Sequence, residues 1–193
     1  KFKHLEAEVS RGELDVQRVR KSGGPAARDL IRQAAQMFAD ELPSMPVQHI
    51  CSLLMCSVTE TIVLIQKGEV VAAATARYHP GTLFVEIELL AVHRLQQRQG
   101  YGILLLQRLV KLTHHSNCRW LLASADDTAV PFFVGCGFSR KITIPKRVYS
   151  KVLTTYENAL LVQLDLSTLA DDDKTHRLFA TCATPDDYPF LAS

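Results

Sequence analysis

Residues His93 to Val110, HRLQQRQGYGILLLQRLV, join a strand pattern to a helix pattern. A polar run leads to Gly100 and Gly102, and an apolar segment of helical character follows. Just upstream, TLFVEIELLAVH (Thr82 to His93) reads as a strong strand. The junction is therefore strand, short loop, then a helix from Gly100 to about His115. The first turn of any helix leaves backbone N–H groups unpaired, and the helix dipole favours an anion there. Glycine lets such a backbone approach a phosphate without a Cβ in the way. Two phosphate loops are excluded, because the stretch lacks G-x-x-x-x-G-K-[ST] and a third glycine for G-x-G-x-x-G. What remains is Q-x-x-G-x-G at Gln97, Gly100 and Gly102. So short a pattern is also compatible with a helix start that binds nothing.

Working outward, GELDVQRV (Gly12 to Val19) alternates as a first strand. PAARDLIRQAAQMFADEL predicts an amphipathic helix opened by Pro25, with Leu30, Ala34, Met37 and Phe38 on one side. VQHICSLLMC predicts a second helix after the PSMP stop. TIVLIQ and VVAAATARY flank Lys67 and Gly68 as an antiparallel hairpin, and HPG (His79 to Gly81) turns the chain again. After the Gly100 helix come a strand at RWLLASA and a short helix in TAVPFFVGCGF, where Pro131 weakens the helix pattern. Last come strands at SRKITI and NALLVQLDL, with a short helix at Arg147 to Leu153 between them. Helices, a hairpin and then β-α-β-α-β give an α/β (α+β) domain with a mixed central sheet flanked by helices. The stretch from Ser167 turns acidic and polar in ADDDKTHR and is expected to be a tail or linker, 167–193.

The totals suit this reading. A chain of 193 residues with 47% apolar and 22% charged residues builds one globular domain with a core of its own. No apolar run approaches the ~20 residues of a membrane span, so no membrane partner is expected. The net charge of +2 argues against direct nucleic-acid binding. The chain opens on Lys1 rather than methionine, and we read it as a fragment of a longer protein. Cys51, Cys56, Cys118, Cys136 and Cys182 are odd in number and lack CxxC spacing, which argues against a zinc site and a disulfide framework and for a reducing interior. Cys136 between Gly135 and Gly137 reads as a small packing residue rather than a nucleophile.

In FVEIELL, Glu86 and Glu88 are two apart, so a strand points both to one face, while Ile87 and Leu89 point to the other. A carboxylate on a mostly apolar strand is costly unless solvated or paired. Crowding two of them raises the pKa of one, which suits a general base near neutral pH. For Glu88 we expect a solvated side chain on an open face. For Glu86 the choice between a solvated side chain and a general base is made by the resemblance that follows.

These segments together resemble the GNAT acetyltransferase superfamily, and more narrowly the catalytic domain of SAGA-type and PCAF-type histone acetyltransferases. RGELDVQRV resembles that family's first strand. MFADELPSMPVQHI is similar to its helix followed by L-P-x-M-P, at Leu42, Pro43, Met45 and Pro46. FVEIELLAV resembles its F-x-E-I strand, and QRQGYG its Q-x-K-G-Y-G loop. SADDTAVPFFVGCGFSRKITIPK resembles its A-D-x-x-A-x-x-Y-F-x-x-x-G-F segment, and TYENALLVQ its closing D-Y-E-G stretch. The resemblance runs from about Leu5 to Leu166 and implies an acetyltransferase domain over 1–166.

By position, the resemblance implies that Glu86 is the general base. It implies that the backbone at Leu90, Ala91 and Val92 holds the thioester carbonyl and pantetheine, with an N–H near Val92 steadying the charge on the thioester oxygen. Gln97, Arg98, Gln99, Gly100, Tyr101, Gly102 and Ile103 would wrap the diphosphate of coenzyme A, and Thr128 would contact the cofactor. Glu157 falls near the implied peptide site. The implied reaction carries acetyl from acetyl-CoA to a lysine amine without a metal, with a histone tail as substrate, in the nucleus, among the subunits of a transcriptional coactivator complex. The chain departs from the pattern at Ser124, Thr128 and Phe132, where the family carries tyrosines, at Gln99 in place of a lysine that Arg98 would replace, and at Thr155 and Asn158 around Tyr156 and Glu157. Two other functions stay open: an acyl-CoA-binding scaffold with little turnover, and acetylation of a small amine. An acidic groove for a basic peptide would draw on Glu86, Glu88, Asp126, Asp127, Glu157 and Asp165.

Overall fold

The computed structural model describes residues 2–79, 81–115, 118–153, 156, 159–169, 174–175, 178–179 and 182. The chain forms two compact units, one built on Lys1–Arg77 and Glu88–Leu109, the other on Tyr78–Ile87 and the chain from Val110 onward.

The first unit carries α1 (Phe2–Arg11), β1 (Leu14–Val19), α2 (Pro25–Glu41), α3 (Val47–Leu54), β2 (Thr59–Gln66) and nearly all of β3 (Glu69–Tyr78). In it β4 (Phe84–Val92) ends and α4 (Tyr101–His115) begins. β1 pairs antiparallel with β2, and β2 with β3. Lys67 (φ 53°) and Gly68 (φ 85°) both take left-handed conformations in the turn joining β2 to β3, which matches the twist of a tight hairpin. α2 opens with Pro25 in its first turn, as expected, and buries Ile31, Ala34, Met37 and Phe38. These pack with Ile50, Leu53, Val63, Ala73 and Leu89 into one core. α1 is an addition to the predicted elements. Its apolar signal is thin: Leu5 and Val9 lie one turn apart, and Leu5 alone of the two is fully buried.

The second unit holds the start of β4, the end of α4, β5 (Trp120–Ala125), α5 (Val130–Gly135), α6 (Lys146–Tyr149) and β6 (Leu160–Asp165). β4 and β5 are parallel from Phe84↔Trp120 to Ile87↔Ala123, a pairing that needs a crossover, and the connection is α4. β5 and β6 are antiparallel, and the strand order is β1-β2-β3-β4-β5-β6, a mixed sheet of the expected class. Phe84, Leu122 and Ile144 make a core with Trp120, Ile142 and Leu161 packed on it. Pro131 lies in the first turn of α5, where its missing N–H costs nothing. Beyond Ser167, Leu169, Thr175, Phe179 and Cys182 are buried.

SRKITI is not a strand. Ser139 alone makes an isolated bridge to Gln163 of β6. The amides of Thr143 (2.9 Å) and Ile144 (3.3 Å) donate to the Gln163 side-chain oxygen, and Gln163 Nε2 donates to Thr143 Oγ1 at 2.6 Å. A side chain, not a neighbouring strand, satisfies this backbone, and Pro145 brings no N–H to continue a ladder. Gln163→Leu would leave two amides without their acceptor and cost roughly 2 kcal/mol or more. Urea denaturation reads this directly, and an unchanged midpoint would contradict the account.

Candidate functional site

In the first unit the loop after β4 is held by a network of its own. His93 N donates to Val71 O at 2.9 Å. A short 3-10 turn, Arg94–Gln96, follows, with Leu95 N donating to His93 Nδ1 at 3.3 Å. Glu41, at the end of α2, braces this turn: it accepts from Arg94 N at 2.9 Å and from Gln97 Nε2 at 3.3 Å. Gln97 Nε2 also donates to Val92 O at 3.0 Å, so that carbonyl is engaged. Gln99 Nε2 donates to Leu95 O and to Gln96 Oε1, each at 3.2 Å, which fixes it as a loop clamp.

Arg98 (φ 61°) and Gly100 (φ 98°) then bring the chain into α4 in left-handed conformations. Leu104 N closes the first helical bond onto Gly100 O at 3.0 Å, so the amides of Tyr101, Gly102 and Ile103 have no carbonyl one turn back within the helix. No acidic residue stands in this first turn. Arg98 is exposed, while Tyr101 and Ile103 are buried. Burial pushes the Tyr101 phenol above its ordinary value, with the Glu8 charge adding to the effect, so its ring anchors the helix start as a neutral group. The arrangement offers amides, the positive end of a helix and an exposed guanidinium, which suits a diphosphate. The backbone of Leu90, Ala91 and Val92 precedes it on β4, downstream of the β4–β5 ladder, which stops at Ile87. Leu90 and Val92 are half-buried and Ala91 is buried.

In the second unit Glu86 is 1% exposed. Its Oε2 lies 2.8 Å from His79 Nε2, and the His79 side chain is itself only 8% exposed. His79 O accepts from Thr82 N at 3.1 Å and from Thr82 Oγ1 at 2.7 Å, and the imidazole lies against Phe84 with ring centroids 4.8 Å apart. A carboxylate this deep in an apolar strand needs such a partner.

The expectation for Glu88 is overturned. It is 7% exposed rather than solvated on an open face, and in the first unit it forms an ion pair with Arg77 at 2.5 Å. A carboxylate met by a guanidinium across the turn has no need of water.

Other predicted residues fall into supporting roles. Asp126 Oδ1 accepts from Thr128 N (2.9 Å), Thr128 Oγ1 (2.7 Å) and Ala129 N (2.9 Å), so the Thr128 hydroxyl is turned into its own loop ahead of α5. Phe132 is half-buried and packs edge-on to Phe133, with Phe133 edge-on to Phe138. Cys136 is buried, and a hydrogen bond with Cys182, together with burial, pushes its thiol far up, away from thiolate chemistry. All five cysteines are free thiols. Asp165 pairs with Arg119 at 3.1 Å; burial works against its charge, but the Arg119 and Ser167 hydrogen bonds outweigh it and hold the carboxyl below its ordinary value. Glu86, Glu88, Asp126 and Asp165 are thus engaged with internal partners rather than free to form an acidic groove. Glu157, like Thr155 and Asn158, lies outside the described residues.

Among the described residues no group of three or more His, Cys, Asp or Glu side chains could hold a metal ion, and no helix is long and apolar enough to cross a membrane. Sequence reading missed Glu41 as the brace of the loop and His79 as the partner of Glu86. The signal for His79 was its place on the far side of the turn from Glu86.

A family described as "Acetyltransferase (GNAT) family" matches residues 29–138. "Histone acetyltransferase GCN5" of Oryza sativa subsp. japonica is 31% identical over 134 residues, 66% of this chain and 25% of the relative. The chain therefore spans about a quarter of that relative's length. The crystal structure of Tetrahymena GCN5 superposes with a TM-score of 0.74 at 24% identity, covering 78% of this chain and 95% of that one. The catalytic domain of the same Tetrahymena protein in complex with coenzyme A gives 0.65 at 24% identity, covering 79% and 93%. At these identities the likeness to solved structures is one of fold.

Proposed function

Since this chain belongs to the GNAT acetyltransferase family, we propose that it is a protein-lysine N-acetyltransferase that moves acetyl from acetyl-CoA to a lysine amine, with a histone amino-terminal tail as substrate. The observation that carries this reading is Glu86, a carboxylate 1% exposed on an apolar strand, with its Oε2 2.8 Å from His79 Nε2.

Acetyl-CoA supplies the activated acetyl group as a thioester. The loop residues Gln97, Arg98, Gln99, Gly100, Tyr101, Gly102 and Ile103 hold its diphosphate, chiefly through backbone amides at the start of α4 and the Arg98 charge. The main chain at Leu90, Ala91 and Val92 receives the pantetheine and the thioester oxygen, and Thr128 lines the cofactor. A free lysine amine has a pKa of ~10.4 and arrives protonated. Glu86 accepts that proton, directly or through one water, and the neutral amine becomes the nucleophile. No metal enters this scheme. We take 1–166 as the acetyltransferase domain and 167–193 as a C-terminal tail or linker, of which Leu169, Phe179 and Cys182 are buried. A nuclear location and work among coactivator subunits, without direct nucleic-acid binding, go with this substrate.

The names of the curated relatives, histone acetyltransferases, support the choice of a histone tail. Incubation with acetyl-CoA and histone-tail peptides, followed by mass spectrometry, should find acetyl-lysine and release of coenzyme A. Tight acetyl-CoA binding with no release would favour a scaffold. Acetylation of a polyamine but of no peptide would move the substrate to small amines.

A further inference from the structure

We propose that His79 is a positioning residue for the acetyl-transfer reaction: its Nε2–H donates to Glu86 Oε2 and leaves Oε1 as the oxygen that takes the acceptor's proton. This rests on Glu86 being the base. The pair is 2.8 Å apart, with the two side chains 8% and 1% exposed, so water does not compete for the contact. A carboxylate that rotates freely presents either oxygen in many directions. One fixed by a donor presents the other oxygen in one direction, and small misplacements of a reacting group cost large factors in rate.

The donor is itself held. The Thr82 amide and hydroxyl both donate to the His79 carbonyl, and the imidazole lies on Phe84, two residues before Glu86 on β4. Backbone and ring are thus each fixed independently of Glu86. A carboxylate partner selects the arrangement with a proton on Nε2.

Glutamine carries an N–H donor the same number of bonds from Cα as His79 Nε2, whereas phenylalanine keeps the ring and its packing without a donor. Asparagine is polar but too short to reach. His79→Phe and His79→Asn should lower kcat by roughly tenfold or more, with KM for peptide and the Kd for acetyl-CoA within about twofold of the parent. His79→Gln should recover most of the lost kcat. In a Glu86→Gln background, His79→Phe should cost nothing further, because the two act as a unit. Wild-type kcat in His79→Phe, or equal losses in the Gln and Phe variants, would overturn the proposal. Should the variants fail to fold, the wild-type protein decides. A downfield imidazole N–H proton resonance that moves in Glu86→Gln supports the bond, and its absence overturns it. If Glu86→Gln itself keeps full turnover, the base assignment falls. If Glu86→Gln is inactive and His79→Phe is not, the failure belongs to His79 alone.

Discussion

Glu86→Gln lowers kcat by about 10²–10⁴-fold, the usual worth of a positioned general base, and leaves the Kd for acetyl-CoA within roughly twofold. The amide is nearly isosteric with the carboxylate, and its oxygen accepts from His79 Nε2–H, so the buried hydrogen bond survives while the proton-accepting group is lost. That separates chemistry from folding. Glu86→Ala would not, because it leaves His79 without its partner and a cavity beside Phe84. Single-turnover kinetics with a lysine peptide, paired with calorimetric titration of acetyl-CoA, give the two readouts. A thermal midpoint close to the parent's is expected. Turnover at the parent's level, with the protein folded, would falsify the assignment of Glu86 as base.

The elements that were legible in the sequence are those whose apolar period is long and unbroken. β2, β3, β4 and the α2 face follow that rule, and so does the parallel β4–α4–β5 crossover. The stretch at Ser139 to Ile144 misled because Ile142 and Ile144 alternate as a strand does. Periodicity records which side chains are apolar, not whether a neighbouring strand or the Gln163 side chain takes the backbone amides. The candidate site divides in the same way. Gly100, Gly102 and Glu86 are local signals: a residue type at a junction, and a charge on an apolar strand. Their partners are not local. Arg77 meets Glu88 in the first unit, and His79 meets Glu86 in the second. Each pairing becomes visible only once the turn is placed. Glu88 was misjudged for this reason, since hydropathy gives the cost of a buried carboxylate but not the guanidinium that offsets it. Glu41, more than fifty positions before the loop it braces, leaves no sequence trace of that role.

Gly100→Val raises the Kd for acetyl-CoA at least tenfold, about 1.4 kcal/mol or more. The effect is conformational before it is steric. Gly100 sits at φ 98°, where a β-branched residue is a strong outlier, so valine must shift the loop to relieve the strain. The carbonyl that closes the first bond of α4 belongs to this residue, and the shift displaces the amides of Tyr101, Gly102 and Ile103 with it. Those amides are the proposed diphosphate donors. Because Tyr101, Ile103 and Leu104 are buried, some loss of stability accompanies the change, and binding is measured well below the variant's melting temperature. Gly102→Ala supplies the complementary case. Gly102 lies inside the helix without a positive φ, so alanine should raise helix stability by roughly 0.5–1 kcal/mol. It should nevertheless weaken acetyl-CoA binding if the backbone must come within contact distance of a phosphate. A more stable protein with poorer affinity is an outcome that general destabilisation cannot produce. Unchanged affinity in both variants would mean that the diphosphate is held elsewhere.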